Sequence, residues 1–359
     1  MRKTCTLAQT PLPMSQPDFS TFPEVSKVDW LTAVQQQLKG KDPATLGIEV
    51  EGVRIDPFAH PDDRPEGQPP VPVPGRWTVS EQIIVGRDMV AANRQLLDSL
   101  TAGCQAPELV LTAAVTAAEI KQLLSGVEPA YVDLHWYDET DDPYLIDELE
   151  TALGDAWSGT VTNTLRAATG TDKIRLAACR LSTLPAEDRP VTQLIGLVEQ
   201  TRRCFGTILP PATVAAQLHY RVPIGRKYLV EIAKLRALRI LIAQVCGEYG
   251  LSGVPLPVIA AYAHPAAFDA QLYTNMIRWG SMALSAAVGG ADRIIAPVLP
   301  GAEDVGVEFK TRIARNALHL LQLEGSVGKL HDPAAGSFYI EQLTDQLVAA
   351  VNERSTGTR

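Results

Sequence analysis

His219, His264 and a spaced set of arginines are the residues of this chain whose types could carry chemistry. The two histidines stand at or near the ends of β-rich runs, 217–222 and 258–262, and imidazole is the side chain that titrates nearest neutrality. At the C-terminal end of a barrel strand either would be placed to touch a substrate. The plainer reading is a hydrogen-bonded core or rim histidine. The arginines belong to a longer pattern: Arg312-Ile313-Ala314-Arg315-Asn316, then Glu324, Lys329 and Asp332-Pro333-Ala334-Ala335-Gly336-Ser337. Arg312 and Arg315 are three apart, so on a helix they share a face and can tie it to a loop through carboxylates such as Asp332. Asp332-Pro333 followed by Gly336 reads as a turn, with a side-chain acceptor and a residue free to take φ > 0. No Ser, His and Asp set has nucleophile-elbow spacing, so hydrolysis by that route has no support. The five cysteines (Cys5, Cys104, Cys179, Cys204, Cys246) are scattered, with no Cys-x-x-Cys pair. That argues against a disulfide framework and a zinc ribbon, and for small apolar residues in a reducing compartment.

The elements that must position these residues follow a regular rhythm from about Pro107. Candidate strands at 108–112, 130–136, 159–163, 174–179, 217–222, 258–262, 293–298 and 327–331 alternate with helical stretches at 117–124, 143–153, 191–205, 227–249, 272–288 and 307–323. Strict βα alternation over this length predicts a (β/α)8 TIM barrel across 106–345. Periodicity cannot tell a closed parallel sheet from an open one, so a doubly wound sheet stays as the alternative. Residues 28–105 read differently, as an extended N-terminal arm. An amphipathic helix at 28–38 carries Trp30, Leu31, Val34 and Leu38 on one face, and a Pro/Gly/Asp-rich stretch then runs to Gly75. Such a stretch cannot build its own core; lying on another surface, it would use Trp30, Phe58 and Trp77 as buried anchors. A free linker is the other reading. Residues 1–27 are expected to be disordered or to reflect a start at Met14 rather than Met1, and 346–359 to be a tail.

The net charge is −9, with 46% apolar and 20% charged residues. No Lys/Arg-rich run exists, which disfavours nucleic-acid binding as the main task. No apolar run nears the roughly 20 residues of a membrane span and no signal-peptide core is present, so a soluble, cytoplasmic protein is expected.

The run from Arg312 to Ser337 resembles the signature of the methylmalonyl-CoA mutase family. Two positions depart from it: Ala317, where the family has Thr or Gln, and Leu323, where it has Glu or Gln. Ile224-Gly225, Glu231-Ile232-Ala233-Lys234-Leu235-Arg236-Ala237, Asn275-Met276-Ile277-Arg278 and Gly289-Gly290-Ala291-Asp292 are similar to the family's barrel segments in the same order. Trp30, Leu38-Lys39-Gly40-Lys41, Glu51-Gly52-Val53 and Trp77-Thr78-Val79 resemble its N-terminal arm. The resemblance is strong from Val222 to Ile340 and weak between Gly86 and Val191.

Such a resemblance implies adenosylcobalamin-dependent rearrangement of acyl-CoA skeletons, in a barrel that wraps the substrate and excludes water. Catalytic members carry a Tyr where this chain has Gln82, and a His where the alignment places Arg180. Cobalamin in the family sits in a further C-terminal domain with an Asp-x-His-x-x-Gly loop. This chain ends at Arg359, so no such domain is expected, and Asp133-Leu134-His135-Trp136-Tyr137-Asp138 reads as a chance match that lacks the Gly. The family includes heterodimers in which a degenerate barrel pairs with a large catalytic subunit. The resemblance thus implies that this chain is the small, non-catalytic partner, with adenosylcobalamin in the complex but not on this chain. A catalytic barrel served by a separate cobalamin-binding chain, and a barrel that binds CoA esters or chaperones a cobalamin enzyme, are the alternatives.

Overall fold

The computed structural model describes residues 25–63, 73, 75–155, 157–162, 174–181, 184–253 and 257–356. Residues 1–24, with Cys5 and the two possible start residues, lie outside this set. Two compact units emerge, residues 1–47 and 48–359. In the first, helix α1 (Lys27–Gln37) is opened by a capping box in which the Ser26 hydroxyl and the Asp29 carboxylate serve each other's backbone N–H. Trp30, Leu31, Val34 and Leu38 are half-buried, and no residue of α1 is fully buried.

The second unit starts with a hairpin, β1 (Ile48–Val50) and β2 (Val53–Ile55). Its turn residues Glu51 and Gly52 have φ of 51° and 77°, the left-handed pair of a two-residue turn that matches strand twist. Val50, Val53 and Ile55 join the main core. The Glu51 carboxylate meanwhile accepts from the Val191 and Thr192 N–H groups at 2.6 and 3.1 Å. Those donors are in the first turn of α5 (Pro190–Phe205), where an anion suits the helix dipole.

The remaining strands are β3 (Thr78–Val85), β4 (Glu108–Leu111), β5 (Asp133–Asp138), β6 (Ser158–Thr162), β7 (Ile174–Arg175), β8 (Ala177–Cys179), β9 (Leu218–Ile224), β10 (Val258–Ala263) and β11 (Arg293–Ala296). All of their pairings are parallel. The ladder runs β7-β6-β5-β4-β3-β11-β10-β9-β8. Only Leu176 separates its two ends, so β7 and β8 act as one strand that pairs with β6 on one side and β9 on the other. Counted that way the sheet returns on itself as a (β/α)8 barrel. Helices α2 (Met89–Thr101), α3 (Ala117–Leu123), α4 (Leu145–Leu153), α5, α6 (Pro211–Gln217), α7 (Tyr228–Glu248), α8 (Leu272–Val288), α9 (Val307–His319) and α10 (Phe338–Thr356) surround it. Alternate strand residues such as Ile83, Leu109, Leu134, Trp136 and Val161 face those helices and form the apolar layer. None of the described helices is long and apolar enough to cross a membrane.

Three expectations shift. The run 327–331 is a turn rather than a strand, folded against Trp77. A Cβ on Gly328 would lie 3.4 Å from the Trp77 indole nitrogen, and Gln322 Nε2 donates to the Trp77 carbonyl at 2.9 Å. The strand that completes the barrel is instead β3, within the stretch assigned to the arm, so the barrel begins at Thr78 and not at 106. Its polar residues Ser80, Glu81 and Gln82 disguise it, because Ser80 and Glu81 are buried and half-buried Gln82 is bonded, each against a partner elsewhere in the fold. Likewise 346–359 is not a tail through residue 356: α10 continues there and buries Leu347 and Val351, packing on α7 and α5.

The segments that resemble the mutase family converge on α7. Arg236, 0% exposed, pairs with Asp332 and, at 2.8 Å, with Glu341. Arg239 reaches Asp292 at 3.0 Å and the Gly290 carbonyl at 2.6 Å, and Lys234 donates to Gln193 and the Pro223 carbonyl. Arg315 on α9 pairs with Glu81 of β3 rather than with Asp332, so the helix is tied to a strand and not to the loop. Removing one member of a buried ion pair strands the other charge. Arg236→Met is therefore expected to lower the free energy of unfolding by about 3–5 kcal/mol, as read from urea denaturation; an unchanged midpoint would refute the pairing.

Candidate functional site

Barrel sites are built at the C-terminal mouth of the strands, and below that mouth the axis of this barrel is occupied by a charged cluster. Glu108, 1% exposed, projects inward from β4. Arg221 of β9 donates to its Oε1 at 3.1 Å, Arg293 of β11 to its Oε2 at 3.2 Å, and Gln82 Nε2 of β3 to Oε1 at 2.9 Å. Arg293 also donates to the Ser80 hydroxyl at 3.1 Å. The Arg221 guanidinium is sandwiched between two tyrosine faces, 4.2 Å from the Tyr137 centroid and 4.1 Å from that of Tyr262. Cation–π contact of this kind spreads the charge left over when two guanidiniums share one carboxylate.

The same cluster fixes protonation states. Burial pushes the Glu108 carboxyl up, but the fields of Arg221 and Arg293 and the hydrogen bonds outweigh it and hold it at about 2. Burial raises Tyr262 to about 12. His135 and His219, both fully enclosed, are held neutral, chiefly by burial and then by the nearby Arg293; His219 falls to about 3. Their rings bond Thr160 Oγ1 at 2.9 Å and Thr162 Oγ1 at 3.1 Å. Glu108, Tyr262, His135 and His219 are thus each held away from neutrality, the range that favours general acid–base work. Nor do the described residues include a group of three His, Cys, Asp or Glu able to hold a metal ion.

Of the residues singled out by sequence, Gln82 lies on the axis but is committed to Glu108. Arg180 follows β8 at the C-terminal mouth, pairs with Asp141 at 3.1 Å and lies 5.3 Å from the Tyr137 centroid. His219 is the second residue of β9, so it lies toward the N-terminal end of the barrel and away from the mouth where a substrate contact was expected. His264 does follow a strand's C-terminal end. Its Nε2 donates to the Pro185 carbonyl at 2.8 Å and its Nδ1 accepts from Ala266 N at 3.1 Å, a clamp between two loops with both nitrogens used. Arg312 and Asn316 are exposed on α9, with Arg312 5.5 Å from the Phe309 centroid. Gly336 has φ of 79°, and the Asp332-Pro333 to Ser337 stretch is a turn leading into α10. Trp77 is 4% exposed in this chain's own core, so it is not an anchor for a partner. Phe58 is half-buried with its ring 6.2 Å from that of His60.

Sequence reasoning missed Glu108, Arg221 and Arg293 as a set. The available signal was charges of opposite sign inside three predicted strands, since a buried charge demands a partner.

The family model for methylmalonyl-CoA mutase matches residues 196–355, from α5 to α10. The chain is 24% identical to the methylmalonyl-CoA mutase small subunit of Porphyromonas gingivalis, over 92% of this chain and 62% of that protein. Two shorter matches are 35% identical. One is to the methylmalonyl-CoA mutase of Cereibacter sphaeroides, over 37% of this chain and 19% of that protein. Another is to the probable small subunit of Mycobacterium tuberculosis, over 38% and 23%. The chain thus spans less than two thirds of the length of these relatives. Among solved structures, a dihydropteroate synthase of Burkholderia cenocepacia aligns at 11% identity and a TM-score of 0.42, over 70% of this chain and 92% of that one, too loose a likeness to bear on function.

Two pH effects follow from the axial cluster. An unfolded chain takes up protons on His219 below its ordinary value of 6.5, whereas the fold does not until about 3. Stability from this residue is complete above 6.5 and falls by about 1.4 kcal/mol per pH unit below it. His219→Gln is expected to flatten the decline of the urea midpoint between pH 7 and 5, and an unaltered slope would contradict a buried neutral imidazole. Glu108 acts at lower pH. Its contribution is complete above about 4.5 and is lost as pH falls toward 2. Glu108→Gln, which strands two guanidiniums, should cost about 3–5 kcal/mol at pH 7.

Proposed function

We propose that this chain is the small, non-catalytic subunit of an adenosylcobalamin-dependent methylmalonyl-CoA mutase. Its resemblance to the mutase family, and to named small subunits within it, is the premise. In this reading a large partner chain carries the cofactor and interconverts methylmalonyl-CoA and succinyl-CoA. The observation that carries it is the axial cluster of Glu108, Arg221, Arg293, Tyr137 and Tyr262. A working barrel of this kind must admit an acyl-CoA and exclude water around it. The committed ion cluster supports this reading, because admitting a ligand along the axis would separate Glu108 from its arginines in a low-dielectric interior, at a cost of several kcal/mol.

The residues at the two family positions do not fit the cofactor's chemistry. Gln82 has no phenol and its amide is spent on Glu108. Arg180 supplies a cation held by Asp141 where a neutral hydrogen-bond donor is needed. What remains for the chain is support of its partner. Helix α1 has an apolar face and no fully buried residue, and a helix of 11 residues is marginal by itself in water. Docking on a partner would bury the half-buried Leu31, Val34 and Leu38 further.

Co-expression with a large mutase subunit is expected to yield a co-purifying complex, while the isolated chain neither turns over nor binds methylmalonyl-CoA in calorimetry. Trp30→Ala should weaken the complex by about tenfold or more. A large subunit that is soluble and fully active alone, with no complex on gel filtration, would sink the proposal. Micromolar binding of methylmalonyl-CoA by the isolated chain would point to a CoA-ester-binding barrel, and turnover on adding only a cobalamin-binding chain to a catalytic one.

A further inference from the structure

We propose that Cys179 and Cys204 form a redox-modification site, in which a peroxide oxidises Cys204 and Cys179 then closes a disulfide onto it. Cys179 ends β8 and points outward, 1% exposed; Cys204 lies in the last turn of α5, the helix that packs on that strand. Their sulfurs are 3.8 Å apart. A disulfide needs roughly 2.05 Å, a difference within reach of a side-chain adjustment at Cys204, which is followed directly by Phe205-Gly206 at the helix end. The two thiols are not equivalent. Cys204 is partly exposed and is where an oxidant can enter, while Cys179 is enclosed beside Thr201 Oγ1 at 3.7 Å. Thr201 in turn bonds the Tyr220 hydroxyl at 2.8 Å.

Acidity supports this division of roles. Donation from the Cys179 thiol lowers Cys204, and burial raises Cys179. A thiolate is the form that attacks a peroxide, and a neighbouring thiol is what turns a sulfenic acid into a disulfide before further oxidation. The last-turn position of Cys204 opposes ionisation through the helix dipole. Its reactivity should therefore fall below that of a dedicated peroxide-reducing cysteine.

The chemistry balances with hydrogen peroxide as the oxidant. The Cys204 sulfur attacks one peroxide oxygen and the O–O bond breaks. This gives Cys204 sulfenic acid and a hydroxide that leaves as water with the thiol proton. The Cys179 sulfur then attacks the sulfenic sulfur, the S–O bond breaks, and the hydroxyl departs as a second water with the Cys179 proton. Two thiols lose two electrons and two protons, and one peroxide becomes two waters. The resulting bond would pin the fifth barrel strand to its following helix, one residue before Arg180 at the mouth.

The test treats the purified full chain with hydrogen peroxide, blocks remaining thiols with N-ethylmaleimide, and maps peptides by mass spectrometry. The expected product is a peptide pair joined through Cys179 and Cys204, lacking two hydrogens and released by dithiothreitol. In Cys179→Ala, Cys204 should stop at the sulfenic acid and be trapped by dimedone. If the native wild-type chain gives no such linked pair, or links it only after denaturation, the proposal is overturned. Oxidation of the buried Cys104 or Cys246 before Cys204 would overturn it equally. The wild-type map decides the matter even should the variant fold poorly.

Discussion

Glu108 sits at the barrel axis out of reach of water, and Arg221 and Arg293 converge on its two oxygens from strands β9 and β11. A lone carboxylate there would be protonated, and a lone guanidinium there would be intolerable. Once these groups are committed to each other, much of the interior follows. Gln82 must turn its amide to the remaining lone pair, Ser80 must accept from Arg293, and Tyr137 and Tyr262 must flank Arg221 with their ring faces. His135 and His219 then stay neutral, because burial and the arginine field both oppose a further proton. A barrel built this way gains one rigid interior.

A second set of buried ions holds the outside of the barrel to the inside. Helix α7 carries Lys234, Arg236 and Arg239 into the apolar layer: Lys234 meets Glu231 of the same helix and Gln193 of α5, Arg236 meets Asp332 and Glu341, and Arg239 meets Asp292. Arg315 does the same between α9 and β3 through Glu81. These pairs are weak as sources of net stability, since desolvation offsets much of their attraction. Their effect is on specificity. Each admits one register of helix on strand and one position for the turn at 332–337. The segments that resemble the mutase family thus lie in the frame of the barrel and not in the axial cluster.

The N-terminal region divides along the same line. The Glu51-Gly52 turn puts a carboxylate over the N-terminus of α5 and sends Val50, Val53 and Ile55 into the chain's own core. Trp77 is likewise internal, packed with Gly328 against the head of β3. Helix α1, within the separate unit of residues 1–47, has an apolar face without a fully buried residue.

The alternation of β-rich runs with amphipathic stretches was enough, by itself, to determine a parallel α/β chain of barrel size, because period and length are local properties of sequence; it left closure of the sheet open. The long run from Arg312 to Ser337 was enough to mark the family resemblance. Reading alternation could not find β3, whose Ser80, Glu81 and Gln82 look like surface residues until Arg293, Arg315 and Glu108 are brought against them. Nor could it place the turn at 327–331, which is apolar enough for a strand but is shaped by Trp77. The pairing of Asp332 with Arg236 and of Arg315 with Glu81 joins positions far apart in the chain, as does the meeting of Glu108 with Arg221 and Arg293. Whether the barrel is hollow or filled was decided by those long-range meetings alone. A charged residue in a strand carries no local mark of which face it takes, and closure of the sheet is what brings its partner across the axis.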